Sequence, residues 1–349
     1  MNLDKKPLLG LSIEELEDLM RSRGMAGFRG RQLARWIYLR RVEDFSSMTD
    51  LPTKLRDELP EDHSVTGVRR LGTWVGSGGA ATKHLVGLSD GAAVEAVVMR
   101  YSYGSSICLS TQVGCAYACP FCASGAEGLV RDLTVEEILG QWFIAQRHLD
   151  ERNERISRLV YMGSGEPLAN YDAVLRSMRL FHSEEGPGIG YRRMTLSTVG
   201  VVPGIEKLSA EGIPITLAVS LHAPNDYLRD RLVPANRSYP LGEVLDAASK
   251  YAADTGRRLT FEYAMIKGVN DHPDLARELA ILLADIPCHV NLIPFNAVDG
   301  CEWIPSDPER IEEFEAILGR MGIGATVRRP LGHDIEGACG QLKRRHGEV

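Results

Sequence analysis

Nowhere in the 349 residues does an apolar run approach the ~18 positions that a helical membrane span needs, so no membrane role is expected. The N-terminal MNLDKKPLLGLSIEE turns acidic before any apolar segment forms, which argues against a secretory signal and for a cytoplasmic location. Basic residues are not in excess either. Against 47 Asp and Glu there are 40 Lys and Arg, a net charge of −7, which excludes a bulk basic surface for nucleic acid. A disulfide framework is also lacking. The seven cysteines are odd in number and, in a reducing compartment, point to metal ligands, catalytic thiols or core positions. Repeats, low-complexity segments and long linkers are missing. At 44% hydrophobic and 25% charged, the chain is an ordinary globular one, long enough for about two domains or one barrel with an extension.

What charge there is clusters. Residues 21–41 carry seven arginines (Arg21, Arg23, Arg29, Arg31, Arg35, Arg40, Arg41) and no acid, either a solvated helix face or a local surface for phosphates. Arg31 and Arg35 lie four apart on one helical face with Arg29 just upstream, and Trp36 is expected in the core. Ser12 and Glu15 form a capping box ahead of Leu16, Leu19 and Met20. With helices expected over 32–39 and near 50–59, residues 1–62 read as a helical accessory module. Residues 63–106, β-branched and broken by glycines, read as a β-hairpin extension.

Strands and helices alternate over 107–330. Strands are expected at 107–114, 158–165, 194–200, 215–222, 259–266, 289–296 and 325–329. A helix starts at the capping box of Thr134 and Glu137, and others fall near 171–182, 203–210, 241–254, 273–285 and 307–320. Buried strands separated by helices indicate parallel pairing with right-handed crossovers. The expectation is α/β, a partial (β/α)6 TIM-type barrel; periodicity alone also allows an open doubly wound sheet. In a barrel, chemistry belongs at the C-terminal strand ends. A tail, 331–349, follows.

The first of these strands runs into Cys115-Ala-Tyr-Ala-Cys119-Pro-Phe-Cys122. Three thiolates spaced C-x3-C-x2-C on a loop can hold three irons of a 4Fe–4S cube and leave the fourth open to a substrate chelate. Zinc with a remote fourth ligand is the competing reading, but zinc pairs usually come as C-x2-C twice and no second pair exists. Phe121 would shield the cluster. After the second strand stands Gly163-Ser-Gly165-Glu166-Pro167, too short of glycines for a dinucleotide site.

The cysteine motif resembles that of the radical S-adenosylmethionine enzymes, and Gly163 to Pro167 is similar to their G-G-E-P element. Further segments narrow the match: FRGRQLARWIY (28–38), CLSTQVGC (108–115), LSTVGVVP (196–203), SLHAPN (220–225), NLIPFN (291–296) and DIEGACGQL (334–342). Together they resemble the RlmN/Cfr family over about 10–342, most closely its RlmN branch. That family methylates C2 (RlmN) or C8 (Cfr) of adenine, in 23S rRNA and, for RlmN, tRNA. The resemblance implies a radical-SAM-type barrel and one 4Fe–4S cluster per chain on Cys115, Cys119 and Cys122. It implies two S-adenosylmethionines per turnover, an electron donor such as flavodoxin or ferredoxin, and a monomer.

Adenine C2 is electron-poor and offers no lone pair to an electrophilic methyl, so polar transfer fails and radical addition is needed. By resemblance, Cys339 takes a methyl from one S-adenosylmethionine, and a radical from a second removes a hydrogen from that methyl before it adds to the base. Cys108 matches the resolving thiol, forming a disulfide with Cys339 as the product leaves, and Glu95 matches the proton acceptor. Gly165 and Glu166 match contacts to the cofactor's amino group, Ser197 a ribose or carboxylate contact, Ser220, Leu221 and His222 a strand-end contact, and Asn296 an adenosine contact. Judged without the resemblance, a lone cysteine is more often inert and buried, which is the reading kept for Cys288 and Cys301. Glu95 alone would read as a solvent-facing strand residue and His222 as a satisfied core histidine. The chain departs from the family pattern at 123–132, where Glu127 and Asp132 are acidic, and at 329–333. A C8-methylating enzyme, a paralogue with another RNA target, or a zinc-holding RNA-binding protein without turnover are the alternatives.

Overall fold

A computed structural model of the chain describes residues 5–126, 128–329 and 331–342, and the backbone of 345 and 346. At the N-terminus, β1 (Lys6–Pro7) pairs in parallel with β2 (His63–Ser64), closing a module of three helices, α1 (Ile13–Ser22), α2 (Phe28–Ala34) and α3 (Thr53–Asp62). The capping box forms as expected: Ser12 Oγ accepts from the Glu15 N–H at 3.3 Å, and Glu15 Oε2 accepts from the Ser12 N–H at 2.7 Å. The helix expected at 32–39 starts earlier, at Phe28, and its last turn, Arg35–Leu39, widens to a π-helix. Trp36 is buried there, its indole N–H donating to Asp50. Leu16, Met20, Leu33, Ile37, Leu55 and Leu59 are all buried, in one core continuous with that of the barrel.

The main sheet begins antiparallel, with β3 (Arg69–Val75), β4 (Ala81–Gly87), β5 (Ala92–Tyr101) and β6 (Gly104–Cys108). The 63–106 extension is therefore continuous with the barrel sheet, and residue 106 lies within β6. From β6 the sheet continues in parallel through β9 (Ile156–Tyr161), β10 (Met194–Thr198), β11 (Thr216–Ser220), β12 (Leu259–Met265), β13 (Cys288–Pro294) and β14 (Ala325–Val327). The helices α4 (Val135–Asp150), α5 (Tyr171–His182), α6 (Val202–Ala210), α7 (Asp226–Leu232), α8 (Leu241–Thr255), α9 (Pro273–Leu283) and α10 (Pro308–Arg320) lie between these strands in sequence. A backbone segment, β15 (Arg345–His346), pairs antiparallel with β5.

One strand expectation is corrected. Residues 107–114 are not a single strand. β6 stops at Cys108, and β7 (Gln112–Gly114) turns out of the sheet to pair antiparallel with β8 (Leu129–Asp132), which the sequence pattern did not reveal. The break falls where other partners replace the ladder: Gln141 of α4 clamps Ser110, accepting from its N–H at 2.8 Å and donating to its carbonyl at 2.9 Å. The N–H groups of Thr111 and Gln112 both reach the Ser164 carbonyl. The ribbon presents the cysteine loop at the C-terminal ends of the parallel strands.

Candidate active site

The loop between β7 and β8 carries Cys115, Cys119 and Cys122, and all three line one cavity. The N–H of Cys122 donates to the carbonyl of Cys119, and Ala118 takes a left-handed φ of 48° to turn the loop. Burial pushes the three thiols up, Cys115 to about 11 and Cys119 well above its ordinary value. As bare thiols they are uncharged; soft sulfur donors of this kind suit an iron–sulfur cluster, whose positive irons would stabilise the thiolates.

Most of the residues expected to contact the cofactor converge on the same cavity. Gly165, Glu166, Ser197, Ser220, His222 and Asn296 line it, from the ends of β9, β10, β11 and β13, while Leu221 is 0% exposed and packs into the core instead. Gly165 must be glycine: its φ is +99°, and a Cβ would lie 2.5 Å from that of Gln112. The Glu166 carboxylate accepts from the N–H groups of Leu168 at 3.0 Å and Val199 at 2.8 Å, and burial raises its pKa to about 7. His222 is also a satisfied histidine: its Nδ1 accepts from the Ala264 N–H at 3.0 Å, and burial lowers its pKa to about 3. Phe121 meets its ring edge-on at 4.7 Å.

Cys339 lines this cavity and a second, smaller one shared with Cys108, Met99, Tyr101, Met162 and Arg328. The two thiols, 231 residues apart in sequence, thus meet in one chamber, both free. Cys108 is 9% exposed, and burial, reinforced by Cys339, pushes its thiol up to about 12. The tail is strapped to its surroundings. Ala123 N–H donates to the Gly340 carbonyl at 2.8 Å, Ser124 Oγ to that of Leu342 at 2.6 Å, and Asn296 Nδ2 to that of Cys339 at 3.1 Å.

Glu95 is not the solvent-facing strand residue its sequence position suggests. It is 1% exposed and pairs with Lys83 Nζ at 3.1 Å. Because Val97 stands opposite Cys108 and side chains alternate, Glu95 shares its sheet face with Val97 and Cys108. Lys83 also donates to the carbonyl of Glu336 in the tail.

The arginine segment is largely matched by acids from outside it. Arg21 pairs with Glu17 and Asp18, Arg23 with Asp62, Arg31 with Glu17 at 2.7 Å, and Arg41 with Asp150. Arg29 donates to Gln32 and to the Asp50 carbonyl, and Arg35 is exposed. Of the acidic departures, Asp132 accepts from Gln112 within the ribbon, and Glu127 lies outside the described residues.

Sequence reasoning missed Lys83, Glu262 and Arg328. The signal for Glu262 was a carboxylate in the apolar strand LTFEYAMI; for Arg328 it was a cation leaving a barrel strand at its C-terminal end. Cys288 and Cys301 line neither cavity.

A barrel sheet with a three-cysteine loop over its C-terminal mouth defines a radical S-adenosylmethionine enzyme. Residues 109–279 match the radical SAM superfamily model, and residues 6–65 match the ribosomal RNA large subunit methyltransferase N-terminal domain. A protein of Symbiobacterium thermophilum named a probable dual-specificity RNA methyltransferase RlmN is 50% identical, over 98% of this chain and 92% of that one. One of the same name from Desulforamulus reducens is 47% identical, over 99% and 98%. The crystal structure of a radical SAM methyltransferase from Sphaerobacter thermophilus superposes with a TM-score of 0.94 at 44% identity, covering 97% of this chain and 99% of that one. The chain belongs to the RlmN family of radical SAM methyltransferases, a family that implies a 4Fe–4S cluster and S-adenosylmethionine.

Proposed function

We propose that this enzyme methylates C2 of an adenine in 23S rRNA, and in tRNA, through a methyl group carried on Cys339. The observation that supports this most is the meeting of Cys108 and Cys339 in a chamber that adjoins the three-cysteine cavity. A one-step methyl transfer needs no such pair of thiols.

Cys115, Cys119 and Cys122 would hold the cluster, and Gly165, Glu166, Ser197, Ser220, His222 and Asn296, which line the same cavity, would bind S-adenosylmethionine beside it. Bound together, cluster and cofactor supply the radical that activates an otherwise inert methyl. The chain's own groups do the rest. Cys339 carries the methyl, Cys108 releases the product by forming a disulfide with it, and Glu95 accepts the proton from the ring carbon. Such a route would use two molecules of S-adenosylmethionine per turnover and an electron from a flavodoxin- or ferredoxin-like donor. The helical module at 1–62 docks RNA with Arg29, Arg31 and Arg35 against phosphates, which contribute affinity without sequence information. The enzyme works as a cytoplasmic monomer.

The test is mass spectrometry of nucleosides from an rRNA fragment and a tRNA incubated with the cluster-loaded enzyme, reductant and S-adenosylmethionine. The expected product is 2-methyladenosine from both. An 8-methyladenosine product would move the enzyme to the other branch, and unmodified RNA with a colourless, zinc-loaded protein would overturn the reading.

A further inference from the structure

Glu262 sits on β12 between Ser220 of β11 and Asn291 of β13, in register with both. It is 3% exposed and lines the cofactor cavity. Its Oε1 accepts from Asn291 Nδ2 at 2.9 Å. Its Oε2 is buried with no hydrogen-bond partner among the described residues. Arg328 Nη1 lies 3.7 Å from that oxygen, close enough to stabilise its charge but too far to donate a hydrogen bond. Burial pushes the carboxyl up, and Arg328 and Asn291 oppose that. A buried carboxylate oxygen without a donor is costly, and folded proteins rarely leave one unless something else supplies the proton.

We propose that Glu262 Oε2 accepts a hydrogen bond from an adenosine bound in the cavity, a role separate from those of the other cavity residues. This rests on the proposed function, in which two adenosines reach the mouth: that of S-adenosylmethionine and the target nucleotide. Both present the same donors, an exocyclic amine and ribose hydroxyls. Arg328 lines both chambers, so the pair stands where the cofactor cavity meets the thiol chamber.

The test uses cluster-loaded protein and the variant Glu262→Gln. Glutamine keeps an oxygen for Asn291 and puts an N–H where the acceptor stood. In one arm, calorimetry measures binding of S-adenosylhomocysteine. In the other, binding is compared for RNA carrying adenosine or purine riboside at the target position. A loss of about tenfold or more in S-adenosylhomocysteine affinity places the cofactor's adenosine on Glu262. Unchanged affinity there, with loss of the preference for adenosine over purine riboside, places the target base on it. Both results support the proposal. If neither measurement changes, Oε2 is served by water and the proposal is wrong. Should the variant fail to load its cluster, the wild-type enzyme decides: analogues lacking the amine or either hydroxyl, in cofactor and RNA, must include one that binds about tenfold worse, and equal binding by all overturns the idea. A wild-type protein that bound neither S-adenosylhomocysteine nor RNA would instead defeat the broader functional reading.

Discussion

In the helical module Arg21, Arg23 and Arg31 each face a carboxylate of the same module, while at the barrel mouth Glu262 Oε2 has no donor among the described residues and desolvation raises the pKa of Cys108, Cys115, Cys119 and Cys122. Exposed ion pairs of the first kind contribute only about 0–1 kcal/mol each, so a phosphate can displace them at little cost. Unsatisfied groups of the second kind are expensive and persist where the rest of the fold holds them for a ligand. One region is complete without its partner; the other is finished by what binds. Mutations at the mouth should therefore act on chemistry and mutations in the module on affinity.

The sharpest break is between the two thiols. Cys339→Ala has no methyl carrier and should yield neither product nor adduct. Cys108→Ala can still add the methyl to the base but cannot resolve, and should accumulate a covalent protein–RNA species. Denaturing gels with labelled RNA read this out, and identical behaviour of the two variants would remove the distinction between carrier and resolving thiol.

Next in size is the buried charge pair behind the mouth. Lys83→Met removes the cation paired with Glu95 at a site where both side chains are under 5% exposed, with an expected cost of about 3 kcal/mol in denaturant unfolding. A loss of only a few tenths would mean that other groups already compensate the carboxylate.

His84 tests the sheet away from the mouth. It is fully buried, and burial, with His148, Arg70 and Arg100 nearby, lowers its pKa to about 3. A histidine lowered in the folded state supports stability above its ordinary pKa of 6.5, and that support is lost as pH falls toward 3. The acid slope is at most about 1.4 kcal/mol per pH unit for one such group. His84→Phe should flatten the fall in stability over this window, measured by unfolding at a series of pH values; an unchanged slope would place the acid sensitivity elsewhere.

The smallest effect belongs to the module. Changing Arg29, Arg31 and Arg35 to Gln should weaken RNA binding and lower the salt slope by about 0.7–0.9 for each phosphate no longer neutralised. Arg31 should contribute least, because it must leave Glu17. Cluster content and RNA-free cofactor cleavage should stay as they are. An unaltered slope would show that RNA docks on another surface.

Much of this was legible from residues alone. The alternation of strands and helices from 156 onward is recovered to within a residue or two at most ends, because each buried strand is bounded by clear helix signals. The cysteine loop was legible from spacing. What hid was tertiary. The break at Ser110 depends on Gln141, 31 residues away, and β8 exists only as the partner of β7. The segment 21–41 contains no acid, yet Glu17, Asp62 and Asp150 pair from outside with four of its seven arginines. Glu95 needed the β4–β5 pairing to show that it is buried against Lys83. Glu262 and Arg328 come together only when β12 and β14 flank β13.

If Cys339 is the methyl carrier, every methyl that reaches RNA passes through its thiol. A pulse–chase measures it directly. The enzyme is first charged with S-adenosylmethionine carrying a carbon-13 methyl, freed of it, then given RNA, reductant and unlabelled cofactor for a single turnover. Mass spectrometry should find the label leaving the Cys339 peptide and appearing in 2-methyladenosine. Label that stays on the protein while unlabelled methyl enters the base would rule out Cys339 as the carrier.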